Sequence, residues 1–157
     1  MPNWCDNSVT IEGPVDKIYD LAHAMERGQL LEFMVPLGEW DYSEAVEKWG
    51  TKWDISEPHC DHNVEDGTID GYFQTAWGPP DEAFKTYLLA NPDVQIHHVF
   101  LEEGNDFCGV NEEHRSDLPR SDSAEWDNDE VLREVNDVFD LRQNLADWEE
   151  ENDEDDA

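Results

Sequence analysis

Polar and apolar residues alternate over residues 8–12 (Ser-Val-Thr-Ile-Glu), the period of a half-buried strand. Gly13-Pro14 then turns the chain. Val15, Ile18, Ala22 and Met25 follow at helical spacing, with Asp16 in the first turn and Gly28 as the stop. Leu30 to Pro36 is apolar and leads into an irregular aromatic stretch with Trp40, Tyr42, Trp49 and Trp53, where Trp49 to Trp53 suits a turn entering a strand. Pro58 to Gly67 reads as a polar loop. Thr68 to Trp77 is rich in β-formers and predicts a strand, which Gly78-Pro79-Pro80 ends. Pro80 opens a helix with Asp81 and Glu82 in its first turn and Phe84, Tyr87 and Leu88 as its stripe. Asn91-Pro92 closes that helix. Val94 to Leu101 is the best strand pattern in the chain, and Gly104-Asn105-Asp106 turns it back into a partner at Phe107 to Val110. The order strand, helix, loop, strand, helix, strand, plus one added strand, predicts an α+β fold with two helices on one face of an antiparallel sheet.

Beyond about residue 115 the pattern changes. The division expected is an α+β domain over 1–115, an acidic extension with an amphipathic helix over 116–148, and a disordered acidic tail over 149–157. The helix is expected from about Asp127 to Trp148. Val131, Leu132, Val135, Val138, Phe139 and Leu145 fall on one side of it; Asp129, Asp140 and Asp147 fall opposite, flanked by Glu130 and Asp137.

Charge changes the picture most. The chain has 41 Asp and Glu against nine Lys and Arg, a net −32 over 157 residues. Self-repulsion on that scale opposes compaction, so a use outside the fold is indicated. Residues 111–157 hold 19 acids and four Arg, and the first 110 hold 22 acids and five bases, so the body is acidic as well as the tail. Direct binding of DNA, RNA or an anionic membrane surface needs a basic patch that nine scattered cations cannot make. A basic partner surface is what remains. The 11% aromatic content, with seven Trp, still supports a packed core. No run of apolar residues is long enough to span a bilayer, and the N-terminus lacks a basic region and an apolar run, so the expected setting is cytoplasmic and reducing.

Few motifs carry chemistry. Cys5, Cys60 and Cys108 are odd in number and widely spaced, which reads as reduced thiols rather than a disulfide framework. His59-Cys60-Asp61-His62 is the nearest approach to a metal cluster, but no second cluster follows at ligand spacing, so neither a metal nor another cofactor is expected. His97 and His98 point to opposite faces of their strand. Trp77-Gly78-Pro79-Pro80 is read structurally, with Trp77 filling the core. No nucleophile elbow or phosphate-cradling loop is present, so no catalytic residues are assigned.

Three segments carry a resemblance. Pro2-Asn3-Trp4-Cys5-Asp6-Asn7, Phe73-Gln74-Thr75-Ala76-Trp77-Gly78-Pro79-Pro80 and Leu101-Glu102-Glu103-Gly104-Asn105-Asp106-Phe107-Cys108-Gly109 are similar to the opening, the strand-to-helix junction and the C-terminal hairpin of the YubB-like or Api-like family of small phage and plasmid proteins. The resemblance covers roughly the first 115 residues. It implies a ferredoxin-like sandwich and a mobile-element origin, with no assigned chemistry. The fold name describes topology and implies no iron–sulfur cluster.

The function expected from charge and resemblance together is that of a non-enzymatic binding protein in the host cell. Its acidic surface would imitate nucleic acid and occupy a basic nucleic-acid-binding protein, for instance a defence enzyme. Carboxylates three or four residues apart on a helix lie about 5–6 Å apart, which approximates a row of phosphates. The residues assigned to partner binding are Asp129, Glu130, Glu134, Asp137, Asp140 and Asp147, with Glu149 and Glu150 beyond them. Two alternatives stand beside this reading. One is an interaction module working through aromatics around Trp40, Trp49 and Trp53, with acidity serving only solubility or salt tolerance. The other is a hydrolase or metal-dependent enzyme using His59 and His62.

Overall fold

The computed structural model describes residues 3–63 and 65–155, apart from the side chains of 148, 149 and 151–155. It is an α+β fold with one six-stranded antiparallel sheet. In chain order the elements are β1 (Trp4–Glu12), α1 (Val15–Glu26), α2 (Leu30–Met34), α3 (Tyr42–Trp49), β2 (Ser56–Asn63), β3 (Thr68–Ala76), α4 (Asp81–Ala90), β4 (Gln95–Glu102), β5 (Phe107–Val110), β6 (Glu113–Ser116), α5 (Glu125–Asn128), α6 (Glu130–Phe139) and α7 (Leu141–Asp155). The strand order is β2-β3-β1-β4-β5-β6. Its first four strands, with α1 and α4 as crossovers, make the ferredoxin-like arrangement, and β5 and β6 widen the sheet beyond β4.

Alternation along the central strands divides the side chains between two faces. In β1, Val9 and Ile11 point to the same side as their partners His98 and Ile96 of β4. That face is covered by α1 and α4, with Ile18, Leu21 and Met25 from α1 and Ala83, Phe84 and Tyr87 from α4 packed on Val9, Ile11, Ile69 and Phe73. Gly71 lets α1 approach the sheet closely, since a Cβ there would meet Met25 Sδ at 2.6 Å. His97, Val99 and Leu101 point the other way, and on that side β4 and β5 are covered by α5, α6 and α7. Trp126, Val131, Leu132, Val135 and Leu141 form a second core there with Val99, Leu101 and Cys108. The acidic extension is thus packed on the sheet through its apolar stripe.

Several local expectations are corrected. Residues 58–63 were expected as loop but belong to the edge strand β2, whose pairing with β3 is interrupted between Ser56 and His59. Within residues 30–49, Leu30–Met34 form α2 and Tyr42–Trp49 form α3. Asp54 organises this region: its half-buried carboxylate accepts from the backbone N–H groups of Leu31, Glu32 and Ile55 at 2.8–3.0 Å. Burial nonetheless raises its pKa above the usual range, the hydrogen bonds opposing. The single helix expected over 127–148 is three. Asp129 is extended and caps α6 by accepting from Leu132 N–H at 3.0 Å, and Asp140 is left-handed (φ 52°) between α6 and α7. Residues 149–155, expected as a disordered run, continue α7 as helix; residues 156 and 157 lie outside the described residues. Trp77 does not fill the core. It is 48% exposed and left-handed (φ 69°), because the chain reverses there between β3 and the prolines.

The second core yields a stability prediction. Trp126 is fully buried and its indole N–H donates to Arg120 C=O at 2.9 Å. Truncation by Trp126→Ala should cost about 3–5 kcal/mol, read as a lower midpoint in urea or guanidinium unfolding. A cost near zero would mean that α5 to α7 are not docked on the sheet.

Candidate functional site

A cleft of about 920 Å³ opens where β4 runs past the end of β5. One wall is α4, which contributes Phe84 and Leu88 together with Asp81, Glu82 and Lys85. The facing wall is α6, where Glu130, Glu134 and Asp137 stand at i, i+4 and i+7 beside Val131 and Arg133. The turn from β5 to β6 closes one end with Asn111, Glu112 and Glu113. Ile96, His98 and Val110 supply the floor. Seven carboxylates line this space against one Lys and one Arg, so the cleft carries a concentrated negative potential over an apolar base.

The floor is held by a buried polar chain. Asn7, fully buried on β1, donates from Nδ2 to Cys5 C=O at 3.1 Å and to Thr75 Oγ1 at 2.9 Å. Its Oδ1 is therefore turned to His98 Nε2 at 2.8 Å, and that nitrogen must carry the proton. His98 Nδ1, without a proton, lies 3.9 Å from Asp81 Oδ1, while His114 Nε2 reaches Asp81 Oδ2 at 3.1 Å. Phe84 and Phe100 flank the His98 ring. Burial lowers the His98 pKa to about 3, with His114 and His97 adding to the shift, so the ring is neutral. The Asp81 carboxyl is raised above its usual range, chiefly by burial and against the pull of His114. No Ser, Thr, Cys or Tyr is among the lining residues.

The residues expected to bind a partner separate into distinct roles. Glu130, Glu134 and Asp137 share the cleft wall, and Glu134 also contacts His97 Nε2. Asp129 faces inward to its cap and to Arg115 Nε at 3.0 Å; the Leu132 N–H and then Arg115 hold its carboxyl below the usual range. Asp140 is exposed at the α6–α7 junction. Asp147, bonded to Gln143 Nε2 at 3.1 Å, and the exposed Glu150 lie along α7, away from the cleft lining. The Glu149 side chain lies outside the described residues. Sequence reasoning missed Asp81, Glu82, Glu112 and Glu113, which only the fold brings opposite α6. The one linear signal was the pair Asp81-Glu82 at a helix start, which helix-dipole chemistry already explained.

The alternative sites fare differently. On β2, alternation sends His59 and Asp61 to one face and Cys60 and His62 to the other; His62 Nε2 meets Glu26 at 3.0 Å. Among the described residues no three His, Cys, Asp or Glu side chains converge as a metal-holding group. The three cysteines are free thiols; burial raises Cys60 and Cys108 to about 11 and Cys5 further. In the aromatic region Trp49 is 3% exposed and its indole N–H donates to Val35 C=O, so it offers no surface. Trp40, Tyr42 and Trp53 are exposed, with Trp53 against Trp4 and Lys52 Nζ 4.4 Å above its ring.

The α+β arrangement agrees with a family comparison in naming a ferredoxin-like domain. The model of the ferredoxin-like domain in Api92-like protein matches residues 48–155. The chain belongs to the Api92-like family. The match runs through the acidic extension, which the three resembling sequence segments left outside. No curated protein and no solved structure matches the chain. Among the described residues no helix is long and apolar enough to cross a membrane.

The buried His98 gives a pH prediction. A histidine neutral in the fold but ordinary (6.5) when unfolded binds more protons in the unfolded chain between pH about 3 and 6.5. Its contribution to stability is therefore lost as pH falls through that window. Asp81, raised, acts in the opposite sense at the low end. Urea unfolding of the wild type should weaken relative to His98→Gln below pH 6.5, by up to about 1.4 kcal/mol per pH unit. Parallel curves for the two proteins would show that His98 titrates normally in the fold.

Proposed function

We propose that this Api92-like protein is a non-enzymatic binding protein that engages the basic, nucleic-acid-binding surface of a host protein and keeps nucleic acid from it. The observation that supports the reading is the row Glu130, Glu134 and Asp137 on one wall of a cleft whose other walls carry Asp81, Glu82, Glu112 and Glu113. Acidity added only for solubility needs no such convergence. Successive helix carboxylates about 5–6 Å apart can meet the cations that otherwise hold phosphates. Oppositely charged surfaces also associate quickly and separate in salt. The working compartment is then the cytoplasm of the host cell, and a nuclease or other defence enzyme is a fitting target for a mobile-element product.

A second reading has its own observation. Trp40, Tyr42 and Trp53 expose aromatic surface around Lys52, apart from the acidic cleft. Large exposed aromatics are enriched at protein interfaces. Binding through this patch would persist at high salt.

The test is competition. A nucleic-acid-binding host protein captured by the full chain should be released by moderate salt and should lose bound duplex DNA as the chain is added. The triple variant Glu130→Lys, Glu134→Lys, Asp137→Lys should weaken capture tenfold or more, while Asp147→Lys with Glu150→Lys should weaken it less. Capture unchanged by the triple variant, or a partner indifferent to salt and DNA, would sink the electrostatic reading; loss on Trp40→Ala and Trp53→Ala instead would establish the aromatic one.

A further inference from the structure

β4 is longer than the strand beside it, and the excess opens into the cleft. Pairing with β5 ends at Val99↔Val110, so no strand lies along residues 95–98 on that side. At His98 the gap is closed by Asn111. His98 N–H donates to Asn111 Oδ1 at 2.9 Å, and His98 C=O accepts from Asn111 N–H at 2.7 Å. Residues two apart on a strand send their backbone groups to the same edge. The N–H and C=O of Ile96 therefore point along that edge too, where the Ile96 residue lines the cleft and is half-buried. An open strand edge inside a groove is a template for an added strand.

Charge decides what would be added. A strand laid beside Ile96 would send side chains alternately toward α4 and toward α6. On the α4 side they would meet Phe84 and Leu88 together with Asp81, Glu82 and Lys85. On the α6 side they would meet Val131 together with Glu130, Glu134, Asp137 and Arg133. Apolar side chains among carboxylates that outnumber the cations on both walls suit Lys and Arg, whose aliphatic stems pack on apolar surface while the charged heads reach outward. An acidic or neutral segment would leave those carboxylates desolvated without partners.

We infer that the cleft binds an extended, basic polypeptide segment of the partner as an additional strand on β4 at Ile96. This rests on the reading of the protein as an acid-surfaced binder and specifies how part of the partner is held. The backbone supplies register through Ile96, and the two acidic walls supply selectivity for Lys and Arg.

The probe is a fluorescent ten-residue peptide alternating Lys and Val, titrated into the full chain and followed by anisotropy. It should bind, and the variant Glu130→Lys, Glu134→Lys, Asp137→Lys should weaken it at least tenfold. Versions of the peptide N-methylated at every other amide, made in both phases, keep the charge but remove edge hydrogen bonds; at least one should bind tenfold more weakly. Hydrogen exchange at the Ile96 amide should slow when the unmodified peptide is added. If both methylated versions bind as tightly as the parent, or Ile96 exchange is unchanged at saturation, strand addition is overturned. Failure of the parent peptide to bind overturns it as well. The wider electrostatic reading is judged separately by salt release and DNA competition of the captured protein, so either can fail alone.

Discussion

The alternation of side chains along β4 is the constraint on which the rest of the molecule depends. Ile96, His98 and Phe100 face α1 and α4, while His97, Val99 and Leu101 face the layer of α5, α6 and α7. One strand thereby joins two cores, one under the ferredoxin-like crossovers and one under the C-terminal helices. A strand covered on both faces needs apolar residues at successive positions, and Val99, Phe100 and Leu101 supply them. The same strand outruns β5, so the gap between α4 and α6 is floored by its free end. The candidate site is a consequence of unequal strand lengths in a sheet packed on both sides.

How legible this was in the chain follows from what each element buries. The central strands β1, β3 and β4 and the helices α1 and α4 announce themselves because the residues that face a core recur at the period of a strand or a helix. β2 does not. It is an edge strand of mostly polar residues, and Glu57 is left-handed (φ 48°) within its break in pairing, so neither propensity nor alternation marks it. β6, Glu-His-Arg-Ser, has the same character at the other edge. The short helices α2 and α3 owe their placement to tertiary bonds such as Asp54 to the Leu31 and Glu32 amides, which link residues more than twenty apart. For the candidate site, the α6 acids were visible from the helical period. Their counterparts on α4 and the β5–β6 turn were not, because strand order alone brings them opposite.

The acids themselves divide by what they touch. Asp41, Asp54 and Asp129 accept backbone N–H groups at helix starts or loops; Glu32 holds the Leu37 and Gly38 amides, and the buried Glu102 holds Asn105. Such carboxylates replace lost water with fixed donors, so part of the negative charge is made compatible with folding. Asp129 illustrates the limits of a helical-wheel projection. The wheel puts it on the outer face, whereas its carboxylate is turned back on Leu132 and Arg115. A capping residue sits outside the helix it begins, so its direction is set by the cap and not by the helical period.

A net charge of −32 therefore says less about function than the positions left over once these structural acids are set aside. Seven of them, on α4, α6 and the β5–β6 turn, converge on a groove with an apolar base and a strand edge that the fold leaves open. Closing that edge with a longer β5 would have been the simple way to protect the sheet from unwanted pairing. The molecule surrounds it with like charge, which opposes pairing with a second copy of this acidic chain. In the mode of binding proposed above, the same residues would both protect the edge and select a basic occupant.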